Sequence, residues 1–511
     1  MIPDLGNLFS RFGAEVVLAL AVPAVLLADL LAGRARREQA AAWTGIGALL
    51  LALLLVAVQE SAPDALLTRL LLADGLAKAF RLLAILTGLV AAVAALRWGD
   101  AARGRAEFLV CLIGAVLGAC LTAAANDLAM LYIAIETLSI SGYLLAGFRK
   151  ASVQSSEAAL KYVIFGAVSS GAMLYGMSLL YGFTGTTTLS TPAGASFASL
   201  GVSAGAAAGQ PAFLVAVILV FAGLAYKVAA APFQFWCPDV YEGAPTSVAA
   251  FLAVASKGAG FAAILRFVGA ATAGTTVDML GRAEDVRTLL MAMALATMTV
   301  GNVAALRQRN AKRLLAYSAI AHAGYLLLGV AVTSAAGATA VLFYMAVYLF
   351  MTLGAFYMVG IVERETGRVD LDAFEGLGFR APLFGVCLGV ALIGLTGLPP
   401  TAGFVGKFFL LREVFAYGGA HDSHLFFWGG IVALLNTVIS LAYYARFLKA
   451  MYLCDVERLP QAPLRFAGVD KGLVLLLTIP VLIFGLAFGG LYETAKDLAH
   501  GVFAVATGGS R

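Results

Sequence analysis

Long uninterrupted apolar runs dominate the chain, with short polar stretches between them, as in Leu49 to Val58 and Leu473 to Phe488. The apolar residues neither alternate with polar ones nor keep to a single helical stripe, which predicts helices with apolar surroundings on every side. Reading from one polar punctuation to the next gives fourteen such segments: residues 14–32, 42–58, 79–96, 107–124, 128–147, 157–181, 211–231, 246–268, 286–305, 313–332, 338–361, 381–417, 424–450 and 470–490. A hydrocarbon layer about 30 Å thick takes about 20 apolar residues per helix, and these segments supply them. A transmembrane barrel needs alternation and a polar lumen, which the runs lack. The predicted fold is an all-α polytopic membrane protein of about fourteen transmembrane helices.

Composition agrees. Of 511 residues, 61% are hydrophobic and 12% charged, against roughly 25% charged in soluble domains. The net charge of +5 comes from basic residues scattered singly, without a Lys/Arg tract, so nucleic acid is not an expected partner. Cys111, Cys120, Cys237, Cys387 and Cys454 form no C-x-x-C pair, which supports neither an iron–sulfur cluster nor a disulfide framework. Asp4 and Arg11 precede a first span with no small-residue cleavage site, so a retained helix is expected rather than a signal peptide. The Gly/Ser/Thr-rich stretch from Gly182 to Gly209 reads as the longest loop of low charge, between the sixth and seventh spans.

Assigning loops alternately to two sides puts 20 basic residues on one side and 10 on the other. By the positive-inside rule the richer side, which includes Arg34, Arg103, Arg149, Lys312, Arg458 and Arg465, faces the cytoplasm. An even number of spans then places both termini on the periplasmic side. The poorer side includes Arg81, Arg282 and Arg511. Of 34 basic residues, Lys161, Lys227, Lys257 and Lys407 remain inside predicted spans.

An ionisable group near the bilayer centre costs about 2.5–3.5 kcal/mol on insertion scales, so these four call for a reason. Counting the helical rise from the polar residue that opens each span puts Glu136 and His322 about 14 Å deep and Lys257 about 16 Å deep. Two spans carry internal prolines, Ala229-Ala-Ala-Pro232 in the seventh and Gly397-Leu-Pro399-Pro400-Thr-Ala-Gly403 in the twelfth. Broken helices are tolerated at depth only where protein or water satisfies the freed backbone. Lys227 precedes one break and Lys407 follows the other. Interruptions at corresponding places of two halves point to inverted repeats, here five helices each, the fourth to eighth and the ninth to thirteenth. Residues 1–105 then form an N-terminal three-helix segment, 106–270 and 271–455 the two repeats, and 456–511 a last span and tail.

Buried lysines near a carboxylate can load and release protons, because burial and the negative charge act in opposite directions on the amine. A sodium path would want several oxygen ligands, and carboxylates inside spans are scarce. Lys161, four residues after Glu157, equally fits a local ion pair or an amine reaching to the interface. His421-Asp-Ser-His424 falls at a loop and reads as a solvated face.

The segments from Leu131 to Phe148, from Phe221 to Arg266 (with the run PDVYEGAP at Pro238 to Pro245), from Arg313 to Gly329 and from Gly397 to Phe408 resemble the antiporter-like subunits of NADH:quinone oxidoreductase, respiratory complex I, and their relatives in multisubunit sodium/proton antiporters. Lysine at 407 is similar to the N-type branch, the counterpart of mitochondrial subunit 2, since subunit M typically carries glutamate there and subunit L adds a long lateral helix. The resemblance implies that Glu136 pairs with Lys227, that Lys257 and His322 form a central axis, and that Lys407 is the terminal group, with Lys161 a weaker candidate. It implies a multi-pass subunit of the bacterial inner membrane with lipid around it, protons and water as its cargo and medium, and subunits M and K as neighbours. Flavin, iron–sulfur clusters and quinone would belong to partner subunits, with no cofactor in this chain. The alternatives from the residues are a sodium/proton antiporter subunit and a membrane subunit whose charged axis is inert.

Overall fold

The computed structural model describes residues 5–33, 36–59, 69–101, 104–190, 199–203, 210–272, 283–454 and 467–503. Arg34, Arg103, Arg282, Arg458, Arg465 and Arg511 of the side count, much of the Gly182 to Gly209 stretch and both chain ends lie outside the described residues. Among the described residues thirteen helices are long and apolar enough to cross a membrane, and they coincide with the predicted spans other than the twelfth. The twelfth crossing is two helices, Pro382–Thr396 and Ala402–Ala420. No strand occurs among the described residues, only three isolated bridges.

Side-chain caps open several helices. Asp127 accepts from the amides of Ala129 and Met130, Asn310 from those of Lys312 and Arg313, and Ser334 from that of Gly337; each satisfies donors that a helix start leaves open. Burial then separates centre from rim. The eighth span (Thr246–Ala270) is 100% buried over its apolar window, the tenth (Ala311–Ala331) 94% and the eleventh (Ala335–Thr366) 89%, whereas the first and second are 28% buried. The three covered helices form the axis of the molecule.

Both predicted breaks are present. The seventh span ends at Val228, and a short helix, Trp236–Gly243, follows it. Each interrupted span is the fourth of its group of five. Proline alone does not decide this, because Pro23 and Pro480 sit inside continuous helices. What the two breaks share is a left-handed residue just ahead of the proline, Ala229 at φ 57° and Gly397 at φ 85°, which turns the chain out of the helix before the missing amide matters.

Three sequence expectations change. Arg81, counted at a helix end, is fully buried; its guanidinium pairs with Glu15 and donates to Gln59 Oε1 at 3.0 Å. Lys312, also counted at a loop, is 2% exposed. The tail after the fourteenth span (Gly468–Leu486) contains a further helix, Gly489–Phe503. Its Tyr492, Ala495 and Leu498 turn inward while Glu493, Lys496 and Asp497 are exposed, and the Tyr492 ring lies 4.4 Å from that of Phe409.

Candidate functional site

The seventh span (Pro211–Val228) carries Lys227 in its last turn, 2% exposed. Its amine donates to Ser139 Oγ on the fifth span at 2.9 Å. Glu136, one turn earlier on that span and half-buried, accepts from Ser170 of the sixth. Glu136 and Lys227 are therefore not in direct ion-pair contact, contrary to the implied pairing; Ser139, one turn from the carboxylate, holds the amine instead. Each charged group thus ends on a serine hydroxyl, Lys227 on Ser139 and Glu136 on Ser170.

The stem of Lys227 runs beside the eighth span, where a Cβ on Gly260 would stand 3.4 Å from Lys227 Cγ. One turn back from Gly260 is Lys257, 2% exposed, whose amine donates to the Ala319 carbonyl on the tenth span at 2.6 Å. Residues Leu252–Ser256, immediately before it, form a π turn. Such a turn inserts one residue into the helix and loosens the backbone ladder, and it is common at functional places.

His322 lies one turn beyond Ala319, also 2% exposed. Its Nδ1 meets Tyr344 Oη at 2.6 Å and its Nε2 faces Tyr444 Oη at 3.5 Å. Tyr444 in turn shares a short hydrogen bond with Ser318. Around the ring stand Tyr325 and Tyr348, with centroids 6.2 and 5.2 Å away.

Tyr325 leads to the last amine. Lys407, 4% exposed, sits 4.5 Å above the Tyr325 ring and donates to the carbonyls of Thr396 at 2.8 Å and Leu395 at 3.3 Å. Those carbonyls end the first half of the broken span, so the ammonium meets both unsatisfied acceptors and the negative end of the helix dipole. Gly397 makes the approach possible, since a Cβ there would come 2.7 Å from Lys407 Cδ.

Lys161 is set apart from these four. It pairs with Glu157 at 2.7 Å and with Asp239 of the short helix Trp236–Gly243 at 2.6 Å. Arg313 binds Asp239 and Glu242, each at 2.7 Å, and the group lines a polar cavity of about 240 Å³. Burial alone would push the Asp239 carboxyl up, but the hydrogen bonds from Lys161 and Arg313 outweigh it and hold the group below its ordinary value. On the same face, Arg149 joins Asp100 and Glu363, and the buried Lys312 donates to the Ala244 carbonyl at 2.7 Å with Glu363 3.9 Å away. This network ties both groups of five helices together at one face.

Sequence reasoning missed the tyrosines, serines and threonines between the amines, which look like ordinary core residues one at a time. Their signal is collective. Tyr162, Tyr241, Ser256, Tyr348 and Thr352 bury hydroxyls without a well-aligned hydrogen-bond partner, and buried polar groups of this kind bind internal water. Among the described residues no group of three His, Cys, Asp or Glu side chains could hold a metal ion. His421 stacks on Tyr417 at 4.1 Å and is exposed.

A family model described as NADH:quinone oxidoreductase/Mrp antiporter, TM, matches residues 125–432. The chain is 43% identical over 456 residues to NADH-quinone oxidoreductase subunit N 2 of Sorangium cellulosum, covering 88% of this chain and 87% of that one. It is 40% identical over 485 residues to subunit N of an Anaeromyxobacter species, covering 93% of each. A chain of respiratory complex I from Thermus thermophilus is 32% identical, with a TM-score of 0.76 over 94% of this chain and 99% of that one. A chain of the Mrp complex from a Dietzia species, 20% identical with a TM-score of 0.78, shares the fold.

Proposed function

Because the chain belongs to the NADH:quinone oxidoreductase/Mrp antiporter membrane family, and within it to subunit N of NADH-quinone oxidoreductase, we propose that Glu136, Lys227, Lys257, His322 and Lys407 are the groups through which it moves protons. The chain is an antiporter-like membrane subunit of a redox-driven proton pump. Quinone reduction elsewhere in the complex disturbs the Glu136 and Lys227 end electrostatically, and a proton passes along Lys257 and His322 to Lys407. Carrying one charge against 100 mV requires about 2.3 kcal/mol. Interactions between buried charges run to about 3–5 kcal/mol, so a change in the field around the Glu136 carboxylate is of the size needed.

The observation that supports this reading is the placement of four nitrogen groups, each under 5% exposed, on four different spans with hydroxyls and free carbonyls between them. Lys161 stands at the mouth of the polar cavity with Asp239 and is an ion-pair partner there rather than a link in the path. The division at residues 105, 270 and 455, the periplasmic placement of both termini in a bacterial inner membrane, subunits M and K as neighbours, and flavin, iron–sulfur clusters and quinone in partner subunits complete the proposal. Lys227→Ala in the assembled complex tests it. Proton pumping falls sharply while the complex still assembles; unchanged protons per electron pair would reject the assignment.

A further inference from the structure

The path has one step for which the titratable residues supply no group. Lys227 and Lys257 lie on neighbouring helices, yet their amines point apart, one to Ser139 on the fifth span and the other to Ala319 on the tenth. Two buried hydroxyls beside these helices take no part in the contacts described above. Tyr162 of the sixth span and Ser256 of the eighth are each 1% exposed and have no well-aligned partner.

The position of the Tyr162 hydroxyl is fixed by its ring, which stacks on Trp236 at 4.5 Å and 8° and meets the edge of Tyr143 at 4.7 Å. So held, Tyr162 Oη lies 3.7 Å from where a Cβ on Gly142 would be, and Leu252 of the π turn, one turn before Ser256, lies 3.6 Å from the same point. Gly142 is one turn beyond Ser139, the group that holds Lys227. Ser256 closes the π turn, and Lys257 is the next residue. Packing alone does not favour this pair, because a buried hydroxyl left without a partner is destabilising. Phe and Ala would fill the same space without that cost.

Resting on the proton-pump reading above, we propose that Tyr162 and Ser256 form the hydroxyl step by which a proton passes between Lys227 and Lys257. The Lys227 ammonium gives its proton through Ser139. Each hydroxyl takes a proton on an oxygen lone pair and releases its own, so the hydroxyls end unchanged, Lys227 ends neutral and Lys257 ends as the ammonium.

The test uses the intact complex in sealed membrane vesicles, with NADH-driven proton uptake and the solvent deuterium isotope effect as readouts. Tyr162→Phe and Ser256→Ala each slow proton uptake on the order of 100-fold, the usual loss when a positioned proton-transfer group is removed. Ser256→Thr, which keeps the hydroxyl, pumps like the parent, and the double variant is no slower than the slower single one. Parental flux and isotope effect in both single variants would overturn the step. Lys227→Ala in the same vesicles separates the two ideas: if it pumps normally the function reading fails, and if it alone is defective only the hydroxyl step fails.

Discussion

Replacing Lys407 gives the sharpest quantitative expectation. Lys407→Ala removes an ammonium held by the Thr396 and Leu395 carbonyls at 2.8 and 3.3 Å and by the Tyr325 ring at 4.5 Å. The helix-end contact is worth about 0.3–1 kcal/mol and the cation–π contact up to about 2. Relief of the desolvation penalty on a buried cation, several kcal/mol, offsets both. The variant chain therefore folds and the complex assembles. Conduction behaves differently, because a proton crossing this level has no amine to carry it and meets a barrier of about 2.5–3.5 kcal/mol. At 1.36 kcal/mol per decade that slows transfer by about 70- to 400-fold. Lys407→Arg separates charge from titration: the guanidinium keeps the positive charge and does not release its proton, so it pumps as poorly as alanine. The assay is NADH-driven acidification of sealed vesicles, alongside quinone reduction measured with and without an uncoupler. Full proton stoichiometry in Lys407→Arg would refute the reasoning, since a fixed charge would then suffice.

Gly397→Ala forces a side chain into φ 85° and places a Cβ 2.7 Å from Lys407 Cδ; the left-handed penalty is about 1–2 kcal/mol, and pumping falls because the amine is displaced from its carbonyls, as vesicle acidification would report. Arg81→Met strands Glu15 in the interior and costs about 3–5 kcal/mol, seen as a lower melting temperature of the purified complex; changing Glu15→Leu as well recovers most of it, and activity per assembled complex stays unchanged. Asp239 is held below its ordinary carboxylate value in the folded chain, so its contribution to stability is fully present above its unfolded pKa of about 3.9 and is lost as pH falls through the lower folded value. Melting temperatures of the parent and Asp239→Asn then converge only in acid below about pH 4, whereas a difference that is constant across that range would contradict the assignment.

Much of the architecture was legible because membrane burial writes a strong signal. Continuous apolar runs placed the spans, and Pro232 and Pro400 marked the interruptions. The four buried nitrogen groups stood out because charge in an apolar run is costly. Other features leave no such mark. Lys312 and Arg81 stand near helix starts, where basic residues are usually solvated, and only tertiary packing buries them. The serine that holds Lys227 leaves no mark in the sequence, because Ser139 and Glu136 lie one turn apart on the same helix and their spacing does not say which of them meets the amine. Nor does Leu252–Ser256 differ in composition from an ordinary helical turn, so its π geometry leaves no mark in the sequence. Pro23 and Pro480 show the same limit from the other side: without a left-handed residue ahead of them, the helix continues.

The most direct test is a map of the intact complex at a resolution that shows ordered water inside this subunit. A connected file of waters from Lys227 past Tyr162, Ser256 and Tyr348 to His322 and Lys407, bonded to the hydroxyls that lack protein partners, is the expected result. Tight apolar packing around those hydroxyls, leaving each amine isolated with no water within reach, would contradict the account.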